Sequence, residues 1–406
     1  MNIQQAEEYL NMLRESGMSE GIENMRRLAE RLGNPQNKPK NIIHIAGTNG
    51  KGTTGALTEA ALRAAGFSVG RYSSPAVFSR FEIIKKNLKN IQPPEFAELI
   101  TAVKAAAEKE NMIPSVFEAE TAAAFLYMKD CDFAVTEAGL GGKGDSTNVV
   151  TAPKTAVITP VSLDHVKILG GTISEIAAEK CGIFNPYTTV VVAKQTDEAL
   201  EVIKEKSAGL KTVFAGEPYN VRRFADKTVF DLKEIKDIEI PFCGEYHLTN
   251  AAAAAAALMS LGISEKHIKQ GFLNTVWRGR FEKISENPAV IADGAHNEQA
   301  FFELRKNLEE YYPNEKFVFI TGIFKDKNYR AAARIFSPIA KKVYTITPPN
   351  ERALSGAELA EVFCAYGADV ETTSIEKIPD IIEKDTTNVV FGSLSFLGEL
   401  YKILGV

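Results

Sequence analysis

The chain has 406 residues, of which 45% are hydrophobic and 24% charged, and its formal net charge is −5. This length favours two domains, each with its own core. The composition argues against a membrane protein and a nucleic-acid-binding protein: no apolar run approaches the roughly 20 residues of a membrane helix, and charges of both signs are mixed along the chain.

The first residues, MNIQQAEEYLNMLRESG, carry neither the basic segment nor the apolar core of a signal peptide. We therefore expect a cytoplasmic protein. The cysteines are far apart and form no C-x-x-C pair, which argues against a disulfide framework and a structural zinc site. We expect all of them to be buried thiols: Cys131, Cys181, Cys243 and Cys364.

After two predicted helices within residues 3–32, strand-like and helix-like segments alternate. Short apolar runs predict strands, and longer amphipathic segments predict helices. The predicted strands are Asn41–Ala46, Phe67–Tyr72, Phe133–Glu137, Thr155–Thr159 and Thr188–Ala193, and the predicted helices are Thr53–Ala65, Pro94–Glu110, Val116–Lys129 and Ile173–Gly182. This alternation favours a mostly parallel sheet, which binds ligands at the carboxyl ends of its strands.

Residues 211–241 show no long helical period and predict a small β-rich section. The alanine run Ala251–Ala257 resembles a linker, but Asn250 precedes it and Leu258 and Met259 follow it. Alanine is the strongest helix former, and its small side chain permits close packing on a sheet. We therefore predict a buried helix here.

A second alternation begins near Pro288, with a hinge predicted at Ser285–Asn287. Its predicted strands are Val290–Asp293, Phe317–Thr321, Val343–Ile346, Val370–Thr372 and Val389–Phe391, separated by helices such as Glu298–Tyr311 and Gly356–Tyr366. The sequence thus predicts an α/β protein of two domains with a cleft between them.

The segment His44–Thr54, HIAGTNGKGTT, nearly fits the phosphate-binding pattern G-x-x-x-x-G-K-[ST]. Ile45 stands where the pattern requires its first glycine, and Gly52 where it requires Ser or Thr. The physical requirements are nevertheless present, because a strand stops abruptly, glycines follow, and Lys51 precedes a helix. The hydroxyl that would approach a metal ion is displaced to Thr53. These features favour a nucleotide-binding loop over an ordinary glycine-rich turn.

Two further strand ends carry side chains suited to phosphate and metal chemistry. Ser73-Ser74-Pro75 follows one strand, and a hydroxyl there can face the phosphates, although a plain turn also explains these residues. Glu137 closes another strand and precedes the glycine-rich run AGLGGKG. An acidic strand end of this kind suits a metal ligand beside a substrate loop, with a solvated carboxylate as the alternative.

Asp164 and His165 follow the strand that is predicted at Thr155–Thr159. We expect Asp164 to orient the imidazole of His165, whereas an isolated histidine would more simply be a hydrogen-bonding residue. One imidazole, one carboxylate and hydroxyl groups fit Mg²⁺ or Mn²⁺ that arrives with nucleotide phosphates better than they fit zinc. The predicted cofactors are therefore ATP and Mg²⁺.

Three other segments lie near predicted element ends. Lys180 in AAEKCGIF lies near a helix end, where an interaction with the helix dipole is the alternative to a catalytic role. WRGRFE places Arg278 and Arg280 at the domain junction, and IADGAHNEQ places Asp293 and His296 at the first strand end of the second domain. We expect residues of both domains to meet in one cleft.

In this order, the motifs resemble those of the folylpolyglutamate synthase and dihydrofolate synthase family of the Mur ligase superfamily. The likeness extends from the phosphate-binding loop to FGSLSFLGEL near the end of the sequence, and the Lys-Gly-Thr form of the loop is normal in that family. The resemblance implies a P-loop ATP-binding domain with a mostly parallel sheet at residues 1–285. It also implies a smaller, Rossmann-like glutamate-ligase domain at residues 286–406.

The resemblance further implies a role for each matching residue. It assigns catalysis to Lys51, Lys180 and His296, and Lys180 matches the family lysine that is carboxylated to a carbamate. The other implied roles are nucleotide binding by Thr48, Asn49, Gly50, Lys51, Gly52, Thr53, Asn250, Arg280 and Asp293; magnesium binding by Ser74, Glu137 and His165; substrate binding on the pterin side by Glu118, Gly144, Asp145 and Ser146; and glutamate binding by His296 and Ser393.

The chain departs from the family pattern in four places. The family's Ser-Pro-His is Ser74-Pro75-Ala76, its G-G-R-L-D-A-T is GGKGDST at residues 141–147, its A-H-N-P ends in Glu298, and its Lys-Ala-Gly has Cys181 in the middle. The first two changes lie in substrate loops and none replaces an implied ATP or metal ligand. The accepted pterin or folate species is therefore left open.

The implied reaction is the ATP-dependent addition of L-glutamate to a folate or dihydropteroate carboxylate through an acyl phosphate. The sequence leaves open which acceptor is used, the length of the glutamate tail and whether Lys180 is carboxylated. The alternatives are a Mur-type ligase for another acceptor and a non-catalytic nucleotide-dependent switch. About forty residues before the loop leave no room for the UDP-precursor domain of peptidoglycan ligases, and the complete metal set argues against the switch. We expect a monomer.

Overall fold

The computed structural model describes residues 1–15, 21–224 and 226–405, and an eight-stranded sheet organises the first domain within these ranges. Its order is β4-β3-β2-β5-β1-β6-β7-β8, and all neighbours from β2 to β8 are parallel. The strands are β1 Asn41–Ala46, β2 Val69–Tyr72, β3 Ile84–Lys86, β4 Lys89–Asn90, β5 Phe133–Glu137, β6 Thr155–Ile158, β7 Thr189–Val192 and β8 Thr212–Phe214. Parallel neighbours bring the carboxyl ends of β1, β2, β5 and β6 to one edge.

Ten helices belong to this domain in the described ranges. They are α1 Ile3–Glu15, α2 Glu23–Arg31, α3 Lys51–Ala64, α4 Pro93–Lys109, α5 Val116–Met128, α6 Val166–Leu169, α7 Ile173–Lys180, α8 Asp197–Lys206, α9 Glu245–Ser260 and α10 Glu265–Leu273. The two helices predicted within residues 3–32 are α1 and α2, and residues 16–20 of that prediction lie outside the described residues.

The alanine run lies in α9, as predicted, and all seven alanines are buried. They pack between strand residues of the main sheet, such as Ile43 and Val191, and residues of a second sheet, such as Phe230 and Ile238. This second sheet is antiparallel and consists of β9 Tyr219–Arg223, β10 Thr228–Leu232 and β11 Ile235–Ile240. Alanine side chains are small enough for a helix to be enclosed on both sides.

The second domain contains a six-stranded sheet in the order β12-β13-β17-β14-β15-β16. Its neighbours are parallel except for the antiparallel pair β12 and β13. The strands are β12 Glu282–Glu286, β13 Ala289–Ala292, β14 Phe317–Thr321, β15 Ala340–Thr345, β16 Val370–Thr372 and β17 Asn388–Phe391, and the helices are α11 Glu298–Tyr311, α12 Tyr329–Phe336, α13 Gly356–Ala365, α14 Ile378–Ile381 and α15 Leu394–Leu404. Buried apolar residues lie on both faces of this sheet.

The predicted α/β fold with two domains and mostly parallel sheets is confirmed. The hinge predicted at Ser285–Asn287 differs from the structure, because β12 pairs with β13 and so belongs to the second sheet. We therefore propose a boundary before Glu282, several residues earlier than the predicted one. The sequence did not reveal this antiparallel hairpin, because β12 is only partly buried and its place in the sheet depends on pairing with β13.

Two smaller points concern cysteines and membranes. Cys131, Cys181 and Cys243 are buried thiols, as expected, but Cys364 is exposed on α13, so that part of the prediction is wrong. Across the described ranges, no helix combines the length and the apolar character that a membrane crossing requires.

Candidate active site

A cavity of about 630 Å³ lies between the two domains, at the edge where β1, β2, β5 and β6 end. Both domains contribute to its wall, as expected from the sequence. The predicted site residues in this wall are Thr48, Asn49, Gly50, Lys51, Gly52, Thr53, Ser74, Glu137, His165, Lys180, Asn250, Arg280, Asp293 and His296. A deep cleft between domains is a common position for a ligand site.

The phosphate-binding loop connects β1 to α3, which begins at Lys51. The backbone N–H groups of Thr48 and Asn49 both donate to the carbonyl of Pro160, at 2.9 and 3.3 Å, and these bonds hold the loop against the segment that follows β6. The Lys51 Nζ donates to the carbonyl oxygens of Gly47 and Thr48 at 3.0 and 3.3 Å. The N-terminus of α3, with N–H groups that the helix itself leaves unpaired, faces the cavity.

Two glycines of this loop allow close contacts that a side chain would prevent. Gly50 has φ +90°, and a Cβ there would lie 2.0 Å from the Oδ1 of Asn250. A Cβ on Gly52 would lie 2.4 Å from the ring of Trp277. The glycines therefore let α9 and the junction segment pack directly against the loop, which places Asn250 beside the phosphate site.

Glu137, at the end of β5, is buried and lines the cavity. Its Oε1 accepts a hydrogen bond from the backbone N–H of Ser74. Burial raises the pKa of Glu137, although Lys51 and the Ser74 N–H oppose the rise. A cation beside a buried carboxylate stabilises its charged form.

The residues fit a magnesium ion that is shared with a nucleotide better than a metal site made by protein alone. Among the residues that the structure describes, no three His, Cys, Asp or Glu side chains group closely enough to hold a metal ion. Mg²⁺ usually takes one or two carboxylates and completes its shell with phosphate oxygens and water. Glu137 and Ser74 are hydrogen-bonded to each other at the cavity edge, and together they can supply one carboxylate and one hydroxyl to such a magnesium ion.

The prediction that Asp164 orients the His165 ring is wrong. The Nε2 of His165 lies 3.9 Å from the Asp164 Oδ1, beyond hydrogen-bond distance, and the aspartate instead accepts from the Lys327 Nζ at 2.7 Å. A nearly buried ammonium needs an opposite charge more than a partly exposed imidazole does. His165 retains its place in the cavity wall, where partial burial lowers its pKa.

Lys180 is the last residue of α7, and its buried amine points at the phosphate-binding loop. Its Nζ donates to the Gly47 carbonyl at 2.9 Å, so this oxygen accepts from both Lys180 and Lys51. Burial, together with repulsion from Lys51, lowers the pKa of Lys180 to about 7. The side chain is thus an amine that is partly neutral at physiological pH, and a neutral amine is a nucleophile.

On the opposite side of the cavity, Asp293 directly follows β13, and both of its carboxylate oxygens accept hydrogen bonds. Its Oδ2 accepts from the Tyr246 hydroxyl at 2.9 Å and from the Phe281 N–H at 2.7 Å, and its Oδ1 accepts from the Ala295 N–H at 2.7 Å. Burial raises the pKa of Asp293, and Arg280 opposes this rise. Asp293 thereby ties α9 to the strand end that carries His296.

His296 is held by a hydrogen bond from its Nδ1 to the Gly294 carbonyl at 2.8 Å. A carbonyl only accepts, so Nδ1 carries the proton and Nε2 keeps its lone pair. Burial, reinforced by Lys327, lowers the pKa of His296 to about 4. The ring is therefore neutral at pH 7 and presents a hydrogen-bond acceptor in the cavity wall.

The structure does not bring every predicted substrate residue into the cavity wall: Glu118, Gly144, Asp145, Ser146 and Ser393 lie outside it. Glu118 caps α5, since its Oε2 accepts from the Ser115 N–H at 2.7 Å. Asp145 accepts from the N–H groups of Leu140 and Thr147. Both carboxylates satisfy backbone groups nearby, and the assignment of these five residues to substrate stays a prediction.

Sequence reasoning missed several polar residues at the domain interface. Asn297 and Gln299, at the start of α11, contact the side chain of Asn49, and Lys327 pairs with Asp164. Asn297 and Gln299 lie in the IADGAHNEQ segment, where only Asp293 and His296 were predicted as site residues, and Lys327 lies in none of the segments singled out from the sequence. Trp277 did carry a signal, because it is the single tryptophan of the chain and stands in the WRGRFE segment.

Comparisons with known proteins agree with this geometry. Residues 45–258 match the Mur ligase middle domain, and residues 279–394 match the Mur ligase glutamate ligase domain. The first match contains the phosphate-binding loop, Glu137, Lys180 and Asn250, and the second contains Arg280, Asp293 and His296. The two matched domains are therefore the two walls of the cavity.

A dihydrofolate synthase/folylpolyglutamate synthase of Bacillus subtilis is 32% identical over 425 aligned residues, which cover 96% of each chain. Among solved structures, the Mycobacterium tuberculosis folylpolyglutamate synthase in complex with ADP and AMPPCP has a TM-score of 0.91 at 27% identity and covers 100% of this chain and 98% of its own. Escherichia coli FolC in complex with DHPP and ADP has a TM-score of 0.89 at 25% identity, with coverage of 100% and 98%. This chain belongs to the folylpolyglutamate synthase and dihydrofolate synthase family of Mur ligases.

Proposed function

We propose that this protein is an ATP-dependent ligase that forms an amide bond between L-glutamate and a carboxylate of a folate or of dihydropteroate. One observation carries the proposal: the N-terminus of α3, with Lys51 and Lys180 beside it, faces a cavity whose opposite wall carries His296. The names and bound nucleotides of the relatives support the same activity. The acceptor itself, monomeric state and cytoplasmic location stay predictions.

The first chemical step is the transfer of the γ-phosphoryl group of ATP to the acceptor carboxylate. A carboxylate is a poor electrophile at neutral pH, and the acyl phosphate gives it a good leaving group. The α3 N-terminus and the Lys51 ammonium stabilise negative charge on the transferring group. Glu137 and Ser74, with His165, would hold the magnesium ion, which neutralises charge on the phosphates when it is bound.

The second step is the attack of the glutamate amine on the acyl carbon, with inorganic phosphate as the leaving group. The amine must be unprotonated when it attacks, and the bare Nε2 of His296 accepts a hydrogen bond from it, while the proton lost on amide formation leaves with the phosphate. Glutamate binding by His296 and Ser393 remains part of this proposal. Closure of the two domains around the substrates would exclude water, which would otherwise hydrolyse the acyl phosphate.

Lys180 has a separate place in the proposal. Its buried amine, with a pKa near 7, suits reaction with CO₂ to form a carbamate, because only the neutral amine attacks. The carbamate would replace a cation beside Lys51 by an anion. That change, which releases one proton, would give Lys51 a counterion.

The test is phosphate release from Mg-ATP in the presence of L-glutamate, with dihydropteroate or a reduced folate monoglutamate in separate reactions. Release that requires glutamate and one acceptor supports the ligase and identifies its acceptor. Reactions without glutamate are the control for simple ATP hydrolysis. Nucleotide binding without release in either reaction would contradict the proposal and favour the nucleotide-dependent switch.

A further inference from the structure

Asp164 lies in the first domain, yet both of its carboxylate oxygens have partners in the second domain. Its Oδ1 accepts from the Lys327 Nζ at 2.7 Å, and its Oδ2 accepts from the Asn297 Nδ2 at 3.4 Å. The side chains of Asp164 and Lys327 are only 12% and 7% exposed. The ion pair is therefore enclosed between the domains and exists only when they are in contact.

A second group of contacts joins the same surfaces next to this pair. The Nδ2 of Asn297 also donates to the Asn49 Oδ1 at 3.1 Å, and the Asn49 Nδ2 donates to the Gln299 Oε1 at 3.2 Å. The Oδ1 of Asn297 accepts from the Ala300 N–H and so caps α11. One asparagine thus connects the phosphate-binding loop, Asp164 and the N-terminus of a helix of the second domain.

The position of Asp164 in the chain links the ion pair to the proposed reaction. The residue immediately precedes His165, and the His165 N–H donates to the Asp164 Oδ1 at 2.9 Å. His165 has φ +49°, an uncommon backbone conformation for a residue other than glycine, which surrounding contacts must maintain. A side chain of the other domain therefore determines how this segment lies along the cavity.

We propose that Asp164 and Lys327 are positioning residues that form an interdomain latch, which holds the His165 segment in place and keeps water from the acyl phosphate. The inference rests on the proposed function. Lys327 itself lies outside the cavity wall, behind Asp164, so it acts through the aspartate. Loss of the latch should leave nucleotide binding intact and separate phosphate release from ligation.

The experiment compares Lys327→Met, Asp164→Asn and the double variant with the wild type. One readout is the ratio of phosphate released to glutamate incorporated, and the other is the radius of gyration from small-angle X-ray scattering. We expect the ratio to rise at least fivefold in each variant and the radius to increase. Lys325→Met removes an exposed lysine from the same segment and should match the wild type in both readouts.

The double variant decides whether the two residues act as one unit. Removal of either partner breaks the latch, so the double variant should be no worse than the more affected single variant. If the effects of the two single variants on the ratio add up in the double variant, the latch proposal is overturned. A raised KM for glutamate in Lys327→Met alone would also overturn it and would indicate that Lys327 contacts substrate directly. Asp164→Asn is nearly isosteric and serves if Lys327→Met does not fold. An unaltered radius in folded variants would also overturn the proposal.

Failure of the proposed function would be recognised separately. In that case the wild type itself would incorporate no glutamate with either acceptor. The scattering comparison does not depend on turnover and would still test the latch.

Discussion

Two glycine-rich loops follow neighbouring strands of the same sheet, and they use their backbone groups in opposite ways. The loop after β1 leads into the N-terminus of α3, which faces the cavity. The loop after β5 is closed by its own Asp145, which accepts from the Leu140 and Thr147 N–H groups. Similar composition therefore gives an open anion site in one loop and a self-satisfied turn in the other.

The difference lies in where the nearest acceptor is. In the first loop, Lys51 donates to loop carbonyls, while the N–H groups at the start of α3 have no carboxylate of the loop to bind. In the second loop, an acceptor follows the glycines directly at Asp145. A glycine-rich strand end thus indicates a phosphate site only when no side chain of its own occupies the N–H groups.

The strongest test of the open loop is Lys51→Ala. Loss of an ammonium that faces the transferring phosphoryl group should lower kcat by about 10²–10³-fold. The measurement is phosphate release with glutamate and the accepted acceptor, with circular dichroism to show that the variant is folded. Lys38→Ala, at an exposed lysine ahead of β1, is the matched control. Wild-type turnover in Lys51→Ala would remove the loop from the mechanism.

The second test concerns the backbone of the open loop. A Cβ at Gly50 would meet the Asn250 Oδ1 at 2.0 Å, and the φ of +90° is strained for alanine. Gly50→Ala should weaken ATP binding by about tenfold or more, since left-handed backbone alone costs roughly 1–2 kcal/mol. Isothermal titration with a non-hydrolysable ATP analogue measures this. Gly171→Ala, where a Cβ would meet nothing within 4 Å, should bind as the wild type does.

The closed loop predicts a loss of stability in place of a loss of nucleotide affinity. In Asp145→Asn, the amide NH₂ group replaces a carboxylate oxygen and therefore faces a backbone N–H group that loses its acceptor. We expect this loss to lower the free energy of unfolding by about 1–3 kcal/mol. Urea unfolding measures the change, and Asp130→Asn, at an exposed position, should change it little. A variant that is as stable as the wild type but has a raised KM for the acceptor would instead support the prediction that Asp145 binds substrate.

A pH dependence is expected from a buried histidine beneath the closed loop. The His44 Nε2 donates to the Thr147 hydroxyl at 2.8 Å, and burial lowers the pKa of His44 to about 4. An unfolded histidine titrates near 6.5, so the unfolded chain binds more protons between pH 6.5 and 4, and stability falls as pH falls through this window. The full shift corresponds to at most about 3 kcal/mol.

Urea unfolding at pH 7 and pH 4.5 measures this dependence. Burial also lowers the pKa values of His247 and His296, to about 3 and about 4, and these histidines act in the same direction as His44. The raised pKa values of Glu137 and Asp293 act in the opposite direction, so the comparison of variant and wild type, and not the wild type alone, isolates His44. His44→Gln should lose less stability than the wild type over the same interval. An equal loss in both proteins would show that His44 does not contribute.

Much of the architecture could be predicted because its causes are local. The bounds of β1, β5, β14, β16 and α11 were predicted without error, and most of the other elements for which bounds were predicted differ by one or two residues at their ends. Apolar periodicity and alanine content act within a few residues and need no tertiary contact. β12 was missed because its place in the second sheet depends on pairing with β13, which periodicity does not reveal.

The candidate site was predictable to the extent that its residues stand at strand ends. Ser74, Glu137 and His165 line the cavity because parallel strands of the first sheet bring their carboxyl ends to one edge, and His296 reaches the same cavity from the end of β13 in the second sheet. Glu118, in the first turn of α5, and Asp145, in the loop after β5, were implied by the family resemblance, but each satisfies nearby backbone N–H groups. A carboxylate either lines the cavity or accepts from its own backbone, depending on whether N–H donors lie within about 3 Å of it. The order of residues in the sequence does not give that distance.

The sequence by itself determined the two-domain α/β architecture, the phosphate-binding loop and the family, because each is written in short segments with their own propensity and motif chemistry. Only the tertiary structure decided that Asp164 pairs with Lys327 and makes no hydrogen bond to the His165 ring. It also decided that Lys180 and Lys51 both donate to the Gly47 carbonyl. Asp164 and Lys327 are 163 residues apart. Their contact depends on how two folded domains meet, since charge pairing is governed by distance in space and by burial.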